Sequence, residues 1–172
     1  MKPKLATAYM KTAKIFAELS HAQRLKVGCV IVKEDRIISI GFNGTPTGWD
    51  NNCETIEVMP ADAGGWLNPD EIEEQWPLVA TNPTDGSYVN RYRLKTRPEV
   101  LHAESNSISK LARSPESGLG ADLFVTHSPC LDCAKLIHQS GIKRVYFGAA
   151  YRSSEGVEFL KASGIEVTQL DV

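Results

Sequence analysis

Two short runs hold the side chains best suited to chemistry: His102-Ala103-Glu104 and Pro129-Cys130-Leu131-Asp132-Cys133, with Cys130 standing 28 residues after His102. Cys at i and i+3 in a first helical turn puts both sulfurs on one face, close enough to share a metal ion. A helix N-terminus favours the thiolate, which is the form that binds metal. Pro129 suits a helix entrance. His102, at a second predicted helix start, supplies a third ligand. Three protein ligands leave a fourth position for water, as in an open zinc site. Glu104, two residues from the His, is placed to serve that water. On spacing alone other readings stay open. A redox pair of thioredoxin type also follows a strand at a helix start, and half of a structural zinc site looks the same. A structural site wants a fourth Cys or His, whereas Cys29 reads as mid-strand core and Cys53 lies in a different region. His21, His127 and His138 read as surface or satisfied histidines. Of these, His127 is near enough to the second run to touch a substrate.

The elements that must position these runs alternate helix and strand. Apolar residues at Leu5, Ala8, Tyr9, Ile15, Phe16 and Leu19 predict an amphipathic helix over Leu5 to Leu19. Lys26 to Lys33 is a β-branched run that reads as a buried strand. Glu34-Asp35-Arg36 turns it into a second strand, Ile37 to Phe42, so the pair forms an antiparallel hairpin. Further on come a helix (Ala103 to Ala112), a strand (Ala121 to Thr126) and a helix stopped by Gly141 (Leu131 to Gln139). A strand (Lys143 to Phe147), a helix stopped by Gly164 (Ser154 to Ala162) and a last strand (Ile165 to Thr168) complete the pattern. Strand–helix–strand units with short loops imply a parallel section covered by helices on both faces. The predicted fold is α/β: a three-layer α-β-α sandwich on a mixed five-stranded sheet, one domain over residues 1–172.

Between the two halves of this pattern, at about residues 45–100, lies a long insertion. No Lys or Arg occurs from Ile37 through Asn90, a stretch that carries nine acidic residues and all three tryptophans, Trp49, Trp66 and Trp76. That stretch is −9, leaving +7 for the rest of a chain whose net charge is −2. Its Pro, Gly and Asn content breaks any long period. It is expected to be packed by its aromatics and to carry at most short helices, one from Pro69 to Gln75 capped by Asn68. An overall charge of −2 argues against a protein that grips a nucleic-acid backbone. No apolar run approaches the ~20 residues of a membrane span. Without an apolar N-terminal run of signal type, the chain is expected in the cytoplasm.

His-x-Glu followed by Pro-Cys-x-x-Cys is the signature of zinc nucleobase deaminases. On it, and on Lys26-Val27-Gly28, Gly41-Phe42-Asn43-Gly44-Thr45-Pro46, His102-Ala103-Glu104-Ser105-Asn106, Ser128 to Lys135 and Ser140-Gly141-Ile142-Lys143, the chain resembles the cytidine/deoxycytidylate deaminase superfamily. The loop at Gly41 to Gly44 and the long insertion point to its bacterial and phage deoxycytidylate (dCMP) branch, where that loop usually reads Gly-Tyr-Asn-Gly. Phe42 keeps the ring and loses the hydroxyl. The resemblance implies a cytidine-deaminase-like fold and deamination of dCMP to dUMP, feeding thymidylate synthesis. The same resemblance implies Zn2+ held by His102, Cys130 and Cys133, with Glu104 shuttling protons. It puts the Ala103 N–H on the base carbonyl, the Ser128 carbonyl on the amino group, Val27 against the base, Asn43 on the sugar and Tyr151 near the base. Some phage relatives add ligands for a second, structural zinc. Ala22 and Gln23 stand at the matching early positions, so one zinc per chain is expected.

The same branch implies a homohexamer, activated by dCTP and inhibited by dTTP with Mg2+, with Phe42 and Gly44 in the effector loop and Arg113 at a subunit contact. For the 5′-phosphate or an effector triphosphate the candidates are Arg91, Arg93, Lys95 and Arg97, which share one face of an extended segment. A solvated strand edge is the other reading, and Arg24 and Lys26, flanking the Val27 strand, compete. Two other functions remain. One is deamination of another cytosine or adenine substrate such as tRNA adenosine, which the −9 stretch disfavours. The other is an idle zinc module for assembly, which would have no use for Glu104.

Overall fold

The computed structural model describes residues 1–172. In chain order its elements are α1 (Pro3–Glu18), β1 (Gly28–Lys33), β2 (Arg36–Phe42), β3 (Glu54–Val58), a 3-10 turn (Ala63–Gly65), α2 (Pro69–Gln75) and β4 (Leu78–Thr81). There follow β5 (Tyr88–Thr96), α3 (Ala103–Leu111), β6 (Asp122–His127), α4 (Leu131–Gln139), β7 (Arg144–Ala149), α5 (Glu155–Ala162) and β8 (Glu166–Gln169). They fall into two compact units. One joins Met1–Asn51 to Glu99–Val172; the other is Asn52–Pro98.

The first unit is built on the expected mixed sheet of five strands, in the order β2-β1-β6-β7-β8. β1 runs antiparallel to both β2 and β6, while β6, β7 and β8 are parallel. The β1–β2 hairpin turns at Glu34 and Asp35, whose φ angles of 51° and 58° are the positive values a tight two-residue hairpin loop requires. Alternation along the strands sorts the core into two layers. Cys29 and Ile31 of β1, with Leu123 and Val125 of β6, pack among Ala103, Leu111, Ala134, Ile137 and Leu160 of α3, α4 and α5. Val30, Val32 and Phe124 point the other way, onto Ala6, Tyr9, Met10 and Ala13 of α1. Both faces are therefore covered, which is why these strands read as continuous apolar runs. Phe124 stacks on Tyr146 with ring centroids 4.6 Å apart. At the N-terminal ends of β6 and β7, Arg144 closes a two-pronged bond on buried Asp122, at 2.5 and 2.8 Å. The opposite ends of these strands feed the loops that carry the chemistry.

The second unit departs from the sequence-based expectation. Where at most short helices were expected, Asn52–Pro98 forms a three-stranded antiparallel sheet in the order β3-β5-β4. Its strands are largely half-exposed, so no burial pattern marks them in the sequence. The expected helix Pro69–Gln75 is present, and Asn68 caps it reciprocally. The Asn68 side chain accepts the Glu71 N–H at 3.0 Å, and the Glu71 carboxylate accepts the Asn68 N–H at 2.8 Å. Of the three tryptophans expected to pack the insertion, only one is buried. Trp76 is buried, but Trp49 and Trp66 are 54% and 59% exposed. No helix of the chain is long and apolar enough to cross a membrane.

Candidate metal centre and active site

His102 is the N-cap of α3 and Cys130 the N-cap of α4, so both first turns open toward one point. The His102 Nδ1 lies 3.5 Å from the Cys130 Sγ and 3.5 Å from the Cys133 Sγ. All three donor atoms fall within 4.8 Å of one another. Bonds of about 2.0–2.1 Å to nitrogen and about 2.3 Å to sulfur at tetrahedral angles give N···S edges of roughly 3.6 Å, so this triangle fits Zn2+. Its electrostatics suit a divalent cation. Hydrogen bonds from the Cys133 thiol and from His102 pull the Cys130 thiol down to about 4. The same Cys130–Cys133 contact, and then burial, push Cys133 upward. One thiolate thus forms readily and a second beside it is opposed, until a divalent cation supplies the compensating charge. Backbone N–H groups already face the sulfurs: that of Cys133 toward Cys130, and that of Ser105 toward Cys133.

Glu104, in the first turn of α3, is 4% exposed. Burial pushes its carboxyl up to about 6, against its own backbone N–H and the charge of His102. A carboxyl held near neutrality beside a metal triangle is suited to taking up and giving back a proton. Behind it, the Ser107 hydroxyl donates to the Glu104 carbonyl at 2.8 Å, and the Ser39 hydroxyl of β2 donates to the Ser107 carbonyl at 2.7 Å. Cys29 is core, as expected, and fully buried.

Two glycines set the spacing of these elements: Gly41, which opens the Gly41–Gly44 motif, and Gly156, which sequence reasoning passed over. A Cβ on Gly41 of β2 would stand 2.1 Å from the Ala103 carbonyl oxygen, so only glycine lets α3 lie this close to the sheet. A Cβ on Gly156 of α5 would stand 2.1 Å from the Pro129 carbonyl oxygen and 2.8 Å from the Cys130 backbone. Gly in a helix is costly, and that cost is the available signal that Gly156 has a packing task. Ala is the better helix former by about 1 kcal/mol, yet Gly156→Ala is expected to destabilise by about 1–3 kcal/mol because backbone must move. Thermal melting with zinc titration checks this; a variant as stable as the parent with unchanged zinc affinity would refute it.

The other expected site residues cluster in linked pairs. Asn43 is spent largely on the Val27 segment. Its Oδ1 accepts the Val27 N–H at 2.8 Å, its Nδ2 donates to the Leu25 carbonyl at 2.8 Å, and its main-chain N–H donates to the Val27 carbonyl at 3.1 Å. Gly44 exchanges two backbone bonds with Leu101, at 3.1 and 2.9 Å, and so fixes the residue before His102. The Phe42 carbonyl accepts from the Asn106 amide at 2.8 Å, and the Lys110 ammonium stands 5.2 Å from the Phe42 ring centre. Ala103 is buried at the first turn of α3, where helix N–H groups have no intrahelical partner. Ser128 is buried and takes the Tyr151 N–H on its hydroxyl at 2.7 Å.

Lys26 is exposed and lines a shallow recess with Lys14, Thr126, His127 and Asp171. His127, half-buried, has its pKa lowered by burial. Arg91 and Arg93 belong to the second unit and are already engaged there. Arg91 donates to the Trp76 carbonyl at 3.0 Å. Arg93 and Lys95 each reach Glu57 at 2.8 Å, and their hydrogen bonds, Lys95 first, hold its carboxyl below the usual range. Arg113 is exposed just past the end of α3.

Comparison with known proteins places this geometry. The profile described as the cytidine and deoxycytidylate deaminase zinc-binding region matches residues 3–149. The deoxycytidylate deaminase of Enterobacteria phage T4 is 35% identical over 173 residues, covering 94% of this chain and 88% of that protein. The deoxycytidylate deaminase of Saccharomyces cerevisiae is 32% identical over 170 residues, covering 98% of this chain and 46% of that longer one. Among solved structures, the dCMP deaminase of cyanophage S-TIM5 in complex with dCMP and dUMP superposes with a TM-score of 0.73 at 39% identity, over 99% of both chains. With its matched profile and its His/Cys/Cys triangle, this chain belongs to the cytidine and deoxycytidylate deaminase family.

Proposed function

We propose that this protein hydrolyses dCMP to dUMP and ammonia. The observation that carries the reading is the buried Glu104 carboxyl beside the His102, Cys130 and Cys133 triangle. His102, Cys130 and Cys133 would hold one Zn2+, which supplies a Lewis acid that activates water at neutral pH. Glu104 takes a proton from the attacking water and gives it to N3 of the cytosine ring. As the C4–O bond forms, Glu104 carries a second proton to the exocyclic nitrogen. The C4–N bond then breaks and ammonia leaves. The Ala103 N–H binds the base carbonyl and the Ser128 carbonyl binds the amine. A site that uses that amine as a donor discriminates against bases that lack it. Val27, held by Asn43, walls the base; Asn43 retains an N–H and a lone pair for the sugar. Tyr151 stands beside the base. Lys26 is the favoured phosphate partner, because Arg93 and Lys95 are ion-paired with Glu57 and Arg91 is bonded within its own unit. The relatives named as dCMP deaminases, one of them holding dCMP and dUMP, support this choice of substrate.

Regulation follows the family resemblance alone. In this reading the enzyme is a cytoplasmic homohexamer with Arg113 at a subunit contact, activated by dCTP with Mg2+ and inhibited by dTTP through the Phe42–Gly44 loop. Ammonia release from dCMP by zinc-loaded protein, with dCTP and Mg2+ present, tests the proposal. Conversion to dUMP is the expected result. No release from protein shown to hold one zinc would overturn it in favour of another nucleobase substrate.

A further inference from the structure

The end of the β6–β7 ladder contains a substitution of hydrogen-bond acceptors. The two strands are parallel, with His127 opposite Ala149 as their last pair. One residue on, the Ser128 N–H still donates to the Ala149 carbonyl at 2.9 Å. In a parallel ladder the next bond returns from the other strand, two residues further along. Here that bond would run from the Tyr151 N–H to the Ser128 carbonyl. Instead the Tyr151 N–H goes to the Ser128 hydroxyl, at 2.7 Å. The Ser128 carbonyl accepts from no donor of this chain, although the residue is only 6% exposed. Buried backbone carbonyls are nearly always paired, so one left without a donor from the chain at the entrance to the Pro129–Cys130 turn is open to a donor from outside it.

We infer that the Ser128 hydroxyl is a positioning group that takes over the ladder bond of Tyr151 and thereby keeps the Ser128 carbonyl open for a hydrogen-bond donor on the substrate base. The inference rests on the proposed nucleotide reading for the identity of that donor, the exocyclic amine of a cytosine nucleotide. It adds a reason why a hydroxyl-bearing residue stands before Pro129. Ala there would keep the turn but leave the Tyr151 N–H without its acceptor. The nearest replacement is the residue-128 carbonyl itself, by simple continuation of the ladder. The substrate amine would then compete with the protein's own backbone. The latch also fixes the loop between β7 and α5, and the first turn of α5 is seated where Gly156 meets Pro129 and Cys130. A bond at Tyr151 and a close contact at Gly156 thus hold that loop against the metal-binding turn.

The test is Ser128→Ala, read by the contrast between a ligand with a donor at C4 and one with an acceptor there. For wild type and variant, KM for dCMP and the inhibition constant for dUMP are measured at equal zinc content. Losing one buried hydrogen bond to the amine raises KM for dCMP by about tenfold. The dUMP constant, which gains nothing from a free carbonyl acceptor, stays within about twofold. An equal loss for both ligands means general damage to the loop and overturns the inference, as does no change in either. A crystal structure of the variant supplies a readout without turnover. The Tyr151 nitrogen is expected within about 3.2 Å of the residue-128 carbonyl oxygen, and a nitrogen left facing solvent overturns the inference. If wild type turns over no dCMP at all, the substrate reading fails, while the crystallographic arm still decides the ladder switch.

Discussion

Glu104→Gln is expected to fold, to bind zinc as the parent does, and to release ammonia from dCMP more slowly by on the order of 10³-fold or more. The amide matches the carboxyl in size and can still hydrogen-bond, but it cannot accept and return a proton. The proposed reaction needs that exchange twice, once at ring N3 and once at the departing nitrogen, so the loss should sit at the upper end of what one acid–base group contributes. Stability points the other way. Burial disfavours the charged form of Glu104 strongly enough to push its carboxyl up to about 6, and a neutral amide removes that cost. The melting temperature of the variant is therefore expected at or above the parent's, the usual trade of stability for activity at a catalytic group. Ammonia assay, zinc determination and thermal melting check the three statements together. Turnover within tenfold of wild type would remove Glu104 from the proton path.

The chemistry-bearing residues were legible because metal ligation and helix starts are local. Cys130 and Cys133 share one turn, His102 and Glu104 share another, and a predicted helix start already tells which way each turn faces. The five-stranded sheet was legible for a similar reason. Strands covered on both faces must be apolar throughout, and Val27 to Val32 and Ala121 to Val125 are almost unbroken runs. The predicted bounds of α4, Leu131 to Gln139, are those observed.

What could not be read depends on contacts between distant segments. β3 pairs with β5 across 34 to 42 residues, and Glu57, Arg93 and Lys95 stand on these two strands as an ion-paired face. Such strands carry alternating charge and bare apolar positions such as Ile56 and Val58, 66% and 58% exposed, so they resemble loop. Gly41 and Gly156 matter only because another backbone arrives at 2.1 Å. Arg91, Arg93 and Lys95 lie on β5, with Arg97 just past its end, and the partners that engage the charges of Arg91, Arg93 and Lys95 lie outside any local window. The hydroxyl of Ser128 is the same kind of case, since its partner is 23 residues away.

Cys133→Ala is expected to give the same loss of turnover as Glu104→Gln by a different route, and the difference separates ligation from proton transfer. Removing this sulfur leaves His102 and Cys130, two donors where an open zinc site needs three. Zinc content is expected to fall from about one per chain to near zero after dialysis. Stability should fall as well. Cys133 is buried, its Sγ stands 3.5 Å from the His102 Nδ1, and it faces Glu104 and the Ser105 N–H, so the metal and this side chain together pin the first turns of α3 and α4. Because metal binds the folded state, its loss lowers the melting temperature by the binding free energy at the ambient zinc concentration, at about 2–4 °C per kcal/mol for a chain of this size. The fold should survive, since the core on both faces of the five-stranded sheet does not include the metal. Chelation of wild type should bring its melting temperature down toward that of the variant, and the variant should not respond to chelator at all. A Cys133→Ala protein that keeps full zinc through dialysis would mean that the ion sits elsewhere. The convergence of His102, Cys130 and Cys133 would then have to be explained by redox chemistry of the two thiols.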